Sequence, residues 1–299
     1  ECLRQCDENK ERNDKLGAAA QSGDNESVTR LLQEGAEITS RDSRGDTGLH
    51  LSARSGHKNV MESFITHKVD INIRGGAQYT ALINAARYGH LSCVQLLLAH
   101  GADTDLRDEW GYTALMNVAR RSYPDIVAIL LIHSANDQIQ DDENGQNALQ
   151  HAEARNNQDV IRMLTAWKEK SIDQEMMTAA ADGKWRLVTG LIIAGADINT
   201  RNDRGETVLD LAVRFGQRDV VQTLLDHGLS GYSSREECLR QCEENKERNE
   251  KLVAAAKSGD NERVIRLLQE GAEITSRDSN RDTGLHLSAY RGHKDMMQT

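Results

Sequence analysis

Apolar residues recur along this chain at three- and four-residue intervals, in short runs separated by polar, glycine-bearing segments. Within one period, Thr80 to Tyr88 carries Leu82, Ile83, Ala85 and Ala86, and after Gly89-His90 a second run carries Val94, Leu96, Leu97 and Leu98. That spacing predicts two short helices, each with one buried stripe. The segment His100-Gly101-Ala102-Asp103 supplies the stop, because glycine is favoured just past a helix, where the backbone turns left-handed. A polar extended loop then leads to the next opening. The openings headed by Leu49, Leu82 and Leu115 follow one another at a constant interval.

A longer period overlies the short one. The segment Glu1 to Met61 returns as Glu237 to Met297, and only twelve aligned positions differ between the two copies. The opening apolar positions are Leu16, Leu49, Leu82, Leu115, Leu149, Met176, Leu209, Leu252 and Leu285, at intervals of 33, 33, 33, 34, 27, 33, 43 and 33. Leu16 to Leu252 is the same displacement as Glu1 to Glu237, so seven short units make one long one. Such a chain is expected to stack. Each unit buries its apolar face against its neighbours, and 299 residues can then accumulate without one core having to grow.

The units carry Thr-x-Leu openings at Thr47, Thr80, Thr113, Thr207 and Thr283. They also carry Gly-His turns at Gly56, Gly89 and Gly292, and Gly-Ala-(Asp/Glu) ends at Gly35, Gly101, Gly195 and Gly271. A run of these motifs in one register resembles the ankyrin repeat family over nearly the whole chain. The resemblance implies an all-α solenoid: L-shaped units of two antiparallel helices and a finger-like loop, stacked into a curve. One departure stands out. The family's proline after the opening Thr is replaced by Gly48, Ala81, Ala114, Ala148, Val208 and Gly284, and the sole proline, Pro124, opens a second helix. Losing that preorganised start is expected to cost up to about 1 kcal/mol per unit and to soften the array.

The two irregular intervals mark joints. After Leu164 there is no room for a finger, and Trp167 to Lys170 should lead straight into Ser171, whose spacing to Gln174 fits a capping box. From Ser233 to Asn249 about ten extra residues rich in Arg, Glu, Lys and Gln predict a charged helix in place of a finger. The expected organisation is a linker helix over 1–13 (equivalent to 237–249), a five-unit block over 14–170 and a two-unit block over 171–232. A helical linker over 233–249 and the truncated start of a further block over 250–299 complete it, as a segment of a longer tandem array.

Composition narrows the function classes. A formal charge of −10 disfavours nucleic acid and anionic membranes as partners, since phosphate contacts need a basic face. The longest apolar run, near Val127 to Ile132, falls far short of the roughly 20 residues that span a bilayer, and no secretory signal is visible. Five cysteines are few and odd in number, which suits a reducing, cytoplasmic setting.

Chemistry-bearing residues mostly fall where the repeat already explains them. His50, His151 and His286 sit at openings, His57, His90 and His293 at turns, and His100, His133 and His227 at second-helix ends, so recurrence in register reads as architecture. The pairs Cys2/Cys6 and Cys238/Cys242 share a helical face but lack two further ligands for zinc; reduced, partly buried thiols are expected, with a redox contact between modules as the alternative. Gly75-Gly76 is expected to form a tight turn in its finger. No nucleophile elbow, phosphate loop, HExxH or paired CxxC is present in the sequence, so neither enzyme chemistry, a metal nor a cofactor is expected.

A subtler pattern concerns binding. Arg54, Arg87, Arg120 and Arg214 hold one register at first-helix ends, with Arg121, Arg155 and Arg291 one place later. Stacking would align them as a basic ladder on the inner face, suited to an acidic peptide or protein surface; alternatively they complement helix dipoles and acidic loops. Tyr79, Trp110 and Tyr112 fall at finger tips, and Tyr88, Phe215 and Tyr290 beside the arginines. Exposed aromatic and arginine residues carry much interface energy, while packing between adjacent fingers is the bland alternative. All of these except Arg155 form the expected partner surface. Trp167 and Trp185 are expected to pack at the first joint. The leading reading is a non-enzymatic protein-interaction scaffold. The alternatives are a structural element that self-associates end to end or continues into a filament, and the adaptor region of a larger enzyme or channel.

Overall fold

The computed structural model describes residues 2–226, 235–274 and 283. Among the described residues there are sixteen α-helices and one 3-10 turn, and isolated β-bridges pair Arg41 with Thr47 and Arg201 with Thr207. The chain divides into two compact units, 1–172 and 173–299.

In the first unit the helices come in pairs: α1 (Cys2–Ser22) with α2 (Asn25–Gln33), α3 (Gly48–Ser55) with α4 (Lys58–Thr66), and α5 (Ala81–Tyr88) with α6 (Leu91–Ala99). Two further pairs follow, α7 (Ala114–Ala119) with α8 (Pro124–Ile132) and α9 (Ala148–Ala154) with α10 (Gln158–Glu169). First helices pack on first helices and second on second, so the opening residues Leu16, Leu49, Leu82 and Leu115 line one continuous core and are almost wholly buried. With proline absent, side-chain caps start the helices. Thr80 Oγ1 accepts from the Ile83 amide, Thr113 Oγ1 from Met116, and Asn147 Oδ1 from Gln150.

Three histidines, His50, His57 and His90, join neighbouring units. His57 and His90 lie beneath the left-handed turns at Gly23 and Gly56 and reach the carbonyls of Gln21 and Arg54. His50 is bonded on both sides: Nδ1 lies 2.8 Å from Thr47 Oγ1, and Nε2 lies 3.0 Å from each of the Ile73 and Tyr79 carbonyl oxygens. Carbonyls only accept, so Nε2 carries the proton and Nδ1 accepts from Thr47. Burial holds this imidazole below its usual value, against the pull of Asp46. His227, His286 and His293 lie outside the described residues.

The fingers are stitched by a series the helical register does not show. Arg41 Nη1 donates to the Gly45 carbonyl of its own finger and to the Arg74 carbonyl of the next; Arg74 does the same with Gln78 and Arg107, and Arg107 with Gly111 and Gln140. The neighbouring position holds an Asp that ties its finger turn. Asp42 accepts from the amides of Arg44 and Asp46, Asp108 from Trp110 and Tyr112, and Asp141 from Glu143, Asn144 and Gln146. Gly75 replaces that Asp in one finger, and there Asp46 Oδ1 from the preceding finger accepts from the Gly76 amide. A Cβ on Gly76 would lie 2.1 Å from the Arg44 carbonyl oxygen. Beyond the tight turn expected of it, the Gly75-Gly76 pair therefore allows one finger to approach the next.

The second unit contains α11 (Ile172–Ala181), α12 (Trp185–Ile193), α13 (Val208–Arg214), α14 (Arg218–Asp226), α15 (Arg235–Ser258) and α16 (Asn261–Gln269). Lys170, in a left-handed conformation, ends α10, and α11 begins at Ile172 with no finger between them. Helix α15 runs unbroken from the charged 237–249 segment into the first helix of the following unit, and α1 likewise passes through residue 13 without a break. Helix α15 packs against α13, α14 and α16.

Candidate partner-binding surface

The first-helix arginines end their helices beside acidic groups or aromatic rings. Arg54 Nη1 stands 3.6 Å from Asp46 Oδ2. Arg87 donates to the Tyr79 hydroxyl and lies over its ring, 5.4 Å from the centroid. Arg120 sits 5.1 Å over the Tyr112 ring. Arg214 pairs with Glu206 at 2.8 Å and Glu273 at 3.1 Å and lies 5.4 Å over Phe215. Each cation therefore has a neighbour that fixes it, while Arg121, one place later, is exposed and makes no ion pair among the described residues.

The aromatic residues separate into exposed and packed sets. Tyr88 and Trp110 are among the most exposed large apolar side chains of the described residues, at 46% and 36%. Tyr79 is half-buried, its ring 5.9 Å from Trp110 of the next finger. Burial raises the Tyr79 phenol above its ordinary value, and the Asp108 and Glu109 carboxylates reinforce this against Arg87. The joined group Arg87–Tyr79–Trp110 thus spans two fingers. It offers a cation, a hydroxyl and two ring faces.

Tyr112 departs from the expectation of an exposed finger-tip ring. It is 7% exposed, its hydroxyl donates to Glu143 Oε2 at 2.9 Å, and its ring meets His151 edge-on at 5.1 Å. The cause is the next finger, which brings Glu143 to the hydroxyl. His151 in turn bonds Asp141 at 2.8 Å, both side chains nearly inaccessible. Burial opposes ionisation of Asp141, but the amides of Asn144, Gln146 and Glu143 and the His151 ring outweigh it and hold the carboxyl low. At Asp108 the balance is reversed: burial dominates and raises the carboxyl in spite of four favourable neighbours.

Phe215 is half-buried, 5.6 Å from Trp185 within the second unit. Tyr290 and Arg291 lie outside the described residues, as do the side chains of Cys2 and Cys6. The stitching arginines Arg41, Arg74 and Arg107 were not singled out by sequence reasoning, although their own even spacing, one per unit, marked them.

Cys93, Cys238 and Cys242 are free and buried, and no group of three or more His, Cys, Asp or Glu able to hold a metal occurs among the described residues. No described helix is long and apolar enough to cross a membrane. What the surface can do is stack on rings and pair with carboxylates or carbonyl oxygens.

Comparison with known proteins gives the same frame. Family models described as ankyrin repeats match residues 16–108, 100–175 and 176–225. A Rickettsia felis protein named "Putative ankyrin repeat protein" is 44% identical over 62 residues, which are 21% of this chain and 97% of that one. A second Rickettsia felis protein of the same name is 44% identical over 54 residues, 18% of this chain and 82% of its own length. An Oryza sativa subsp. japonica protein named "Probable E3 ubiquitin-protein ligase" is 47% identical over 47 residues, 16% of this chain and only 10% of the rice protein. Ankyrin repeats generally serve as protein-interaction modules. With family models covering well over half of its length and the paired helices and fingers they describe in place, the chain belongs to the ankyrin repeat family.

Proposed function

We propose that this segment is a non-enzymatic scaffold that binds a protein partner through the fingers and first-helix ends of its first unit. The observation that carries the reading is the Arg87–Tyr79–Trp110 group, flanked by exposed Tyr88 and Arg121. Rigid aromatic rings and a preorganised guanidinium bind at small entropic cost, and they are the residue types that dominate interface energies. The fitting partner is an acidic peptide or an acidic protein surface, whose carboxylates would meet Arg87 and Arg121 beside the rings. Tyr112, stacked under Arg120 and bonded to Glu143, holds the finger in place. The buried, free thiols support a reducing, cytoplasmic setting.

The test is a chain with Trp110→Ala, Tyr88→Ala, Arg87→Ala and Arg121→Ala together. Affinity capture and binding to synthetic acidic peptides should fall at least tenfold, while the melting curve shows a folded array. Unchanged binding by the folded variant refutes this surface.

A second reading has its own support in the close identity of the two distant copies, Glu1 to Met61 and Glu237 to Met297. A self-assembling or continuing superhelix needs such uniformity, whereas four of the twelve changes (Arg44 to Asn280, Gly45 to Arg281, Arg54 to Tyr290 and Ser55 to Arg291) fall on the finger and first-helix face. Electron microscopy separates the two. Discrete monomers that hold a partner support the scaffold, and ordered fibres with a seven-unit repeat support the filament.

A further inference from the structure

The fourth finger is one residue longer than the third, and the extra residue falls at its tip. Asp108 and Asp141 stand 33 residues apart, but Gly111 and Gly145 stand 34 apart. The longer tip folds back on itself, with the Asp141 amide donating to the Gln146 carbonyl at 3.0 Å. Inside it the Asp141 carboxylate accepts from the amides of Glu143, Asn144 and Gln146, at 2.8, 2.6 and 3.1 Å. Gly145 is passed over. Its nitrogen has no acceptor among the described residues, and a Cβ on it would meet nothing nearer than Gln140 Oε1 at 4.0 Å. Asn144, just before it, is exposed, and its side-chain amide bonds to no described residue. This is the one Asn-Gly pair in the sequence.

We propose that Asn144-Gly145 is a site of spontaneous deamidation and that its conversion loosens the fourth finger. The Gly145 N–H gives its proton to hydroxide, and the nitrogen attacks Cγ of Asn144 to form a new C–N bond. The Cγ–Nδ2 bond then breaks, and Nδ2, taking a proton from water, leaves as ammonia. Glycine favours the attack because no side chain shields the nitrogen. Water opens the resulting cyclic imide at either carbonyl carbon, breaking that carbon's bond to nitrogen. Opening at Cγ gives aspartate; opening at the main-chain carbon gives isoaspartate, with the chain rerouted through Cβ and Cγ. The net exchange is one water for one ammonia.

Both products add a negative charge beside Asp141, Asp142 and Glu143. Isoaspartate also inserts a carbon into the main chain between the Asn144 and Gln146 amides, which a single carboxylate now holds together. The same turn carries Glu143, the acceptor of the Tyr112 hydroxyl. Ageing at this site therefore releases the grip that keeps Tyr112 in place. Two other exposed pairs show the opposite arrangement. Gly183, after Asp182, donates to the Ala180 carbonyl at 3.1 Å, and Asn157, after Asn156, donates to the Ala152 carbonyl at 3.0 Å. There a helix end holds the nitrogen that would have to attack. The proposal goes beyond the partner surface and stands whether or not that surface binds.

The test incubates the full 299-residue chain at neutral and at mildly alkaline pH, alongside synthetic peptides spanning each pair. Tandem mass spectrometry of the tryptic peptide 122–155 should place the replacement of NH by O at residue 144, faster at the higher pH. Methyl transfer by an isoaspartyl methyltransferase identifies the isoaspartate fraction. In the folded chain Asn144 should keep pace with its peptide to within about threefold, whereas Asp182-Gly183 should lag its own peptide by about tenfold or more, the factor that one retained hydrogen bond carries. Asn144→Ser, which alters only a solvent-facing side chain, should abolish the conversion. After equal incubation its urea midpoint should hold, while that of the parent chain falls as isoaspartate accumulates. A folded chain that converts at Asn144 far more slowly than the peptide overturns the proposal. So does one that gathers isoaspartate there and yet unfolds at the same midpoint as Asn144→Ser.

Discussion

The segments 1–13 of α1 and 237–249 of α15 differ at one position, Asp7 against Glu243, and yet they occupy different environments. On α15 the side chains of Cys242 and Asn249 are buried and Glu243 is half-buried; on α1 Asp7, Asn9 and Lys10 face solvent. Both segments are helical, because strong helix formers without proline decide that locally. Burial is decided by the neighbour. Helix α15 has α13 and α14 against it, and the same residues there become donors, ion-pair partners and core. The contrast separates what a sequence dictates about an element from what only the adjoining unit can supply, and each expected effect below tests whether that neighbour carries the difference.

The largest expected effect comes from Gly216→Ala. Its φ of +69° costs any L side chain about 1 kcal/mol, and a Cβ 2.6 Å from Lys246 Cα adds an overlap with backbone that cannot rotate away. A loss of about 3 kcal/mol in the second unit is expected by urea unfolding. Gly271→Ala is the control: its φ of +89° carries the same strain, but no atom lies within 4 Å of the added carbon. Equal losses for the two variants would mean that α15 does not press on the α13–α14 turn.

Next comes the asparagine pair. Asn249→Ala removes a bond from the Glu273 amide and leaves the Arg214 carbonyl without its side-chain donor, in a site where Asn249 is 6% exposed. Asn13→Ala removes only the bond from the Glu37 amide, at a half-exposed position. Losses of about 2 kcal/mol and about 1 kcal/mol or less are expected, following the usual cost of a buried against a solvated hydrogen bond. Chemical unfolding of the two single variants measures the gap directly, and no gap would remove the energetic distinction between α1 and α15.

The repeat frame was legible because Thr, Gly and Leu recur for local reasons: caps, left-handed turns and buried stripes. Less legible was whatever depends on two adjacent fingers at once. Tyr112 carries an aromatic ring on a loop, which reads as exposed, but Glu143 from the next finger and Arg120 from its own unit cover it. Arg41, Arg74 and Arg107 escaped notice because they sit in polar loops, where arginine is ordinary, and their spacing has meaning only once each is seen to reach the finger beyond. The arginine ladder at the helix ends was visible as a register. Its acidic and aromatic neighbours, which decide how much of each cation a partner could reach, were not.

A smaller effect concerns the thiols of α15. Burial pushes Cys242 up to about 11, with Glu243 and Cys238 adding to the rise. An acid whose folded-state value lies above its unfolded one stabilises the fold below the unfolded value, and that contribution disappears as pH rises through the folded value. The second unit should therefore lose stability between about pH 9 and pH 11, and Cys242→Ala should flatten that part of the profile. An identical slope in both chains would show that the thiol does not feel the α13–α14 neighbour.

The smallest expected effect is the ion pair between Arg218 and Glu243, whose side chains are 53% and 45% exposed. Exposed pairs contribute between about 0.2 and 1 kcal/mol, and salt screens them. A double-mutant cycle with Arg218→Ala and Glu243→Ala should therefore return a coupling within that range at low ionic strength and close to zero near about 1 M salt. Asp7→Ala, at the equivalent place on α1, should leave monomer stability unchanged, because no described cation pairs with it. The carboxylate is nearly the same in both helices, so a coupling at Glu243 alongside none at Asp7 measures what the facing arginine adds. A stability loss at Asp7 equal to that at Glu243 would instead place the effect inside the helix itself, through its dipole or its own neighbours, and the contrast between the two copies would vanish at this position.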